Sequence, residues 1–135
     1  MRSYSVAVSS LAIGAPPKWL DNLLSHFPVP EVDTDRRGVA RRIPHSALLR
    51  LALTRELHVA LHMGVRDALR LAEELLAATQ GTVSRGGQLR VSFDRPSFER
   101  ELADRLRDAL ESAPTPRRGR PPSRTGTATR RPTND

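Results

Sequence analysis

The sequence contains no cysteine. That excludes a disulfide-stapled scaffold, a thiol enzyme and a cysteine zinc finger. Aromatic residues make up only 4%, namely Tyr4, Trp19 and three phenylalanines. So few rings give no obvious stacking platform for RNA. No apolar run approaches the ~20 residues of a membrane span. The opening Met1-Arg2-Ser3-Tyr4-Ser5 has no long apolar stretch of the secretory-signal kind. No membrane role is expected, and the expected location is a reducing cytoplasm. Lysine is nearly missing too: of 22 basic residues, Lys18 is the single lysine.

What is present is arginine, unevenly placed. The 135 residues carry a formal net charge of +7. From Ala113 to Asp135 there are six arginines and one Asp, a net of +5 in 23 residues. That segment also holds five prolines and no aromatic, Leu, Ile or Val. A segment with nothing to bury cannot offset its ordering entropy. Residues 113–135 are therefore expected to form a disordered Arg/Pro-rich tail. A remaining body of 112 residues is small enough that self-association, as a homodimer, is plausible.

Apolar spacing divides the body into elements. Ser5 to Ile13 reads as a short helix, followed by the break Gly14-Ala15-Pro16-Pro17. Proline suits a first helical turn, where its missing N–H has no partner to lose. Leu20, Leu23, Leu24 and Phe27 recur at helical spacing, and Pro28 and Pro30 end that helix. Val29 to Ile43 reads as two short strands around the turn Asp33-Thr34-Asp35-Arg36-Arg37-Gly38. A long helix is expected from Pro44-His45 to about Leu61, and an amphipathic one from Val65 to Ala78 with Gly81 as its stop. Thr82 to Phe93 reads as a hairpin around Arg85-Gly86-Gly87, with Leu89, Val91 and Phe93 on one face. Asp94 is placed to cap a last helix lined by Phe98, Leu102, Leu106, Ala109 and Leu110.

This order resembles the DNA-binding domain of the MerR family of winged helix-turn-helix regulators. The resemblance covers roughly residues 4–78 and rests on five stretches. Tyr4-Ser5-Val6 matches the family's opening. Gly14-Ala15-Pro16-Pro17-Lys18-Trp19-Leu20 matches its turn and recognition helix. Gly38-Val39-Ala40-Arg41-Arg42-Ile43 stands at the wing. Leu48-Leu49-Arg50-Leu51 and Gly64-Val65 match the helices after the wing. The resemblance implies a mainly α fold, a winged helix-turn-helix with small β-hairpins, ahead of the basic tail. It implies a domain over 1–78, with 79–112 as a hairpin plus helix that could serve dimerisation. Several residues depart from the family pattern, including Val39 and Ile43, which stand in the wing in place of tyrosines, with one extra residue there. Ser9 stands where an apolar residue is usual, and Asp21 where a phosphate-binding Arg is common.

The implied function is transcriptional regulation through duplex DNA. A helix fits the major groove, where polar side chains reach base edges and phosphates. Lys18, Trp19 and Asn22 are the candidates on the helix 17–27, with Lys18 for a phosphate or guanine and Asn22 for adenine. Trp19 could equally be a packing residue. Arg36, Arg37, Arg41 and Arg42 are the candidates on the wing, suited to phosphates or a minor groove. In the tail, Arg118-Gly119-Arg120-Pro121 resembles an AT-hook, an element that lies in the narrow minor groove of A·T-rich DNA.

Other chemistry is poorly represented. His58 and His62 are four residues apart, but no Glu follows His58 and no third ligand is evident, so no metal is expected. There is no glycine-rich phosphate loop, nucleophile elbow or carboxylate pair, and neither an enzyme nor a cofactor is expected. The rival is a protein-interaction or dimerisation module built on the leucine-rich helices 45–61 and 65–78. The two readings differ in where charge falls. For DNA, the wing arginines and Lys18 should share a face, with Asp21 paired or turned away.

Overall fold

The structure is a computed structural model that describes residues 2–29, 31–32 and 40–113. Among these are five helices and two small antiparallel sheets of two strands each. The expected wing turn, with Arg36 and Arg37, and the tail from Pro114 onward lie outside the described residues.

The chain starts with β1 (Ser3–Tyr4) and α1 (Val6–Ile13). The Ser5 hydroxyl caps α1 by accepting the Val8 N–H at 3.1 Å. Gly14 ends it in the left-handed region, at φ 75°. There the Gly14 N–H reaches the Leu11 carbonyl and the Ala15 N–H reaches that of Ser10, the paired bonds of a Schellman motif. Three residues later α2 (Pro17–His26) begins, with proline in its first turn. A helix, a tight glycine turn and a second helix thus follow directly from local chemistry.

The strand β2 (Ile43–Pro44) corrects the expected wing. It pairs with β1, Tyr4 opposite Ile43, rather than with a neighbouring limb. Residues 29 and 31–32, read from sequence as strand, form none. The reason is burial: Ile43 is fully covered and Tyr4 nearly so, which fixes that register through long-range packing.

The next helix, α3 (His45–Ala60), is the pillar of the molecule. Ala47, Leu48, Leu49, Leu51, Ala52, Leu53 and Leu57 are all buried on it, so its middle is covered nearly all round. Val29, Val32 and the helices α1 and α2 pack on its first half. Its second half meets α4 (Val65–Ala77) through Leu53, Leu57, Ala68, Leu71 and Leu75.

A hairpin of β3 (Thr82–Arg85) and β4 (Leu89–Ser92) closes over that second cluster with Val83, Val91 and Phe93. Leu89, expected on the same face, is instead 68% exposed. Gly81 is not the stop of α4, which ends in the extended residue Ala78. It sits at the base of the hairpin at φ +66°, where a Cβ would lie 2.9 Å from the Phe93 carbonyl oxygen.

Asp94 does cap the last helix, α5 (Arg95–Ser112), by accepting the Ser97 N–H. That helix folds back on α1 and buries Leu102, Leu106 and Ala109 in the first cluster. The sequence boundary at 78 therefore does not divide the core. No described helix is long and apolar enough to cross a membrane.

Candidate nucleic-acid interface

On α2 the apolar residues Leu20, Leu23 and Leu24 face the core, and Lys18, Asp21, Asn22, Ser25 and His26 are exposed. At 100° per residue the exposed arc is centred on Lys18 and Asn22. Asp21 and Ser25 form one edge of the arc, and Trp19 and His26 the other.

Each edge carries a guanidinium group from another element. On the first, Arg41 Nη1 donates to Asp21 Oδ1 at 2.9 Å, and Nη2 to Ser25 Oγ at 3.1 Å. A longer contact, 3.4 Å, reaches the Asp21 carbonyl. Arg41 thus straps the chain leading into β2 onto α2. On the second edge, Arg55 of α3 lies 4.9 Å from the Trp19 ring centroid, and Trp19 packs 5.9 Å from the His58 ring. Beyond it, Arg66 of α4 lies 5.7 Å from the ring of Phe27. Such stacks hold a cation flat against a ring and contribute about 0.5–1 kcal/mol at exposed sites.

The predicted residues therefore separate. Lys18 and Asn22 are brought together on the open arc. Trp19, proposed as a reader, is half-buried and packs on α3, which makes it a support for Arg55. Arg41 is beside α2 as the wing reading requires, but its side chain is tied down. Arg42 turns to β1, donating from Nη2 to the Ser3 carbonyl at 2.7 Å. Arg36, Arg37, Arg118, Gly119 and Arg120 lie outside the described residues. The residues flanking 33–39 are nonetheless anchored. On one side Val32 is buried and Arg50 pairs with Glu31; on the other Arg41 grips α2. The hydrogen bonds from Arg50 hold the Glu31 carboxyl below its ordinary range, against the opposing effect of burial.

Arg55 and Arg66 were not legible as candidates. Each is one arginine among many on its helix, and only the fold sets them over the rings of Trp19 and Phe27. The histidines have local roles as well. His58 Nδ1 donates to the Met63 carbonyl at 2.6 Å, tying the turn between α3 and α4, where His62 takes φ 54°. His26 Nδ1 donates to the Asn22 carbonyl at 2.8 Å. No cluster of three or more His, Cys, Asp or Glu able to hold a metal occurs among the described residues.

No protein-family model, no curated protein and no solved structure matches this chain.

Proposed function

We propose that the protein binds double-stranded DNA, as a winged helix-turn-helix transcriptional regulator rather than an enzyme. One observation carries this reading: the exposed arc of α2, centred on Lys18 and Asn22, is bracketed by arginine on both edges. A helix seated in a major groove has a phosphate backbone on either side, so cations are needed on both flanks. In this reading Asn22 reaches a base edge and Lys18 a phosphate or guanine. Arg55 and Arg66 face one backbone and Arg41 the other, and Arg36 and Arg37 remain candidate phosphate contacts from the sequence. The Arg118-Gly119-Arg120 stretch adds a minor-groove contact, suited to A·T-rich sequence. Binding as a homodimer would pair two such arcs on a twofold site.

The second reading, a protein-interaction module with a degenerate helix-turn-helix, draws on Asp21. Its carboxylate sits on the DNA-facing side and repels phosphate, and Arg41 neutralises it only in part.

Fluorescence anisotropy of the full chain on labelled duplex DNA, across a salt series, tests the proposal. Lys18→Ala, Asn22→Ala and Arg55→Ala should each weaken binding, and Asn22→Ala should also blunt sequence preference. The charge removals should lower the salt slope by about one each. Binding that survives all three changes but is lost with Arg118→Ala and Arg120→Ala would demote α2 to scaffold and favour the interaction module.

A further inference from the structure

Away from α2, the start of the chain and α5 enclose a cleft of about 500 Å³. Small-ligand sites commonly fall between about 300 and 1,000 Å³. Tyr4 and Arg2 line it from the β1 end, His45 from the start of α3, and Ala103, Leu106, Arg107 and Leu110 from α5. It shares no residue with the proposed DNA face, and the DNA reading makes no use of it.

Its chemistry is of two kinds. Tyr4, Ala103, Leu106 and Leu110 give an apolar wall, of which Leu110 is 50% exposed among the described residues. Arg2, Arg107 and His45 give nitrogen donors, and no lining residue is acidic. Arg107 does pair with the neighbouring Asp104, through Nη2 at 2.6 Å. A guanidinium has five N–H donors, so that single bond leaves most of its fork open. The Tyr4 and His45 rings meet edge to face at 6.3 Å, which orients the imidazole beside the apolar wall. The first amide of α3, the His45 N–H, donates to the Arg2 carbonyl at 3.2 Å, which holds the two ends of this lining together.

We propose that this cleft binds a small organic anion, a carboxylate or phosphonate carried on an apolar body about the size of a ring. The acid group lies between Arg2 and Arg107 and takes a further bond from His45. The apolar body rests on Tyr4, Leu106 and Leu110. Two guanidinium groups around an apolar wall select against cations by repulsion, and against neutral compounds because the donors then stay unpaired.

The test is a titration of the full chain followed by amide chemical shifts in NMR, at constant ionic strength. The probes are phenylphosphonate, phenethylammonium and benzyl alcohol. Phenylphosphonate should give saturable shifts centred on Tyr4, His45, Leu106 and Leu110, and the other two should not saturate. Arg2→Gln and Arg107→Gln should each weaken it by at least about tenfold, the loss of a charge-assisted hydrogen bond. Both side chains sit at the surface, so the remaining spectrum should hold. Leu110→Glu, which places a carboxylate in the wall, should weaken binding independently. The proposal is overturned by an absence of saturable shifts, by equal response to phenethylammonium, or by unchanged affinity in all three variants. It is equally overturned if the shifts centre on Lys18, Arg41 and Arg55, since the anion would then be reporting the DNA face.

Discussion

Replacing Ser9 with alanine should stabilise the protein. Ser9 is wholly buried on α1, and its hydroxyl has no hydrogen-bond partner among the described residues. A buried polar group without a partner costs about 1–3 kcal/mol. Alanine also has the higher helix propensity, by about half a kcal/mol. Against these gains stands the loss of one atom's packing, which is small because the void is smaller than a methyl group. The net gain should be about 1–2 kcal/mol. For a domain of this size each kcal/mol raises Tm by roughly 4–8 °C. Ser10 provides the internal control. It is equally buried, but its hydroxyl donates to the Ala7 carbonyl at 3.0 Å. Ser10→Ala gains the same propensity and loses a bond of comparable net worth, so it should be nearly neutral. Calorimetry or urea unfolding of both variants decides the matter. The reasoning is refuted if Ser9→Ala is no more stable than the parent, or no better than Ser10→Ala.

Four further substitutions test other contacts. Asp21→Asn should raise DNA affinity and steepen its salt dependence, because it removes an acid from the arc and frees Arg41; unchanged or weaker binding in anisotropy would count against the DNA face. The same change should cost no more than about 1 kcal/mol in urea unfolding, since the pair is partly exposed. Gly14→Ala should cost about 1–2 kcal/mol from left-handed backbone alone, as nothing lies within 4 Å of its would-be Cβ. Gly81→Ala should cost more in the same thermal melts, because its Cβ also meets the Phe93 carbonyl. The Glu31 carboxyl titrates lower when folded, so its contribution is present above its unfolded pKa and is lost as pH falls through the folded value. Glu31→Gln should therefore flatten the fall in stability below about pH 4.5, as read in melts from pH 6 to pH 3.

The elements that could be read from sequence are those whose cause is local. The Leu20, Leu23, Leu24 spacing gave α2, the apolar stripe from Ala68 to Leu75 gave α4, and Asp94 announced α5. The hairpin turn Arg85-Gly86-Gly87 was equally plain, with both glycines at positive φ. What could not be read depends on distant partners. Nothing near Ile43 says that its ladder partner is Tyr4 rather than a nearer strand. Gly81 after α4 satisfies the rule for a helix stop, yet its conformation serves contact with Phe93. For the site, Lys18 and Asn22 follow from the helical repeat. The Arg41 strap, the return of Arg42 to Ser3 and the Trp19–Arg55 stack all join side chains 16 or more residues apart, which periodicity cannot couple.

The return of α5 along α1 has a geometric consequence. Leu11 of α1 and Ser112 of α5 line a common shallow cleft, so the chain leaves α5 beside α1. From Ala113 to Arg120 there are seven residue-to-residue steps, which even fully stretched span at most about 25 Å. That is about seven base steps of duplex at ~3.4 Å each. Covalent length alone keeps the Arg118-Gly119-Arg120 stretch on a short leash from the first helix. Where both parts engage one duplex, their footprints have to adjoin, and moving an A·T-rich patch a full turn further away should uncouple them.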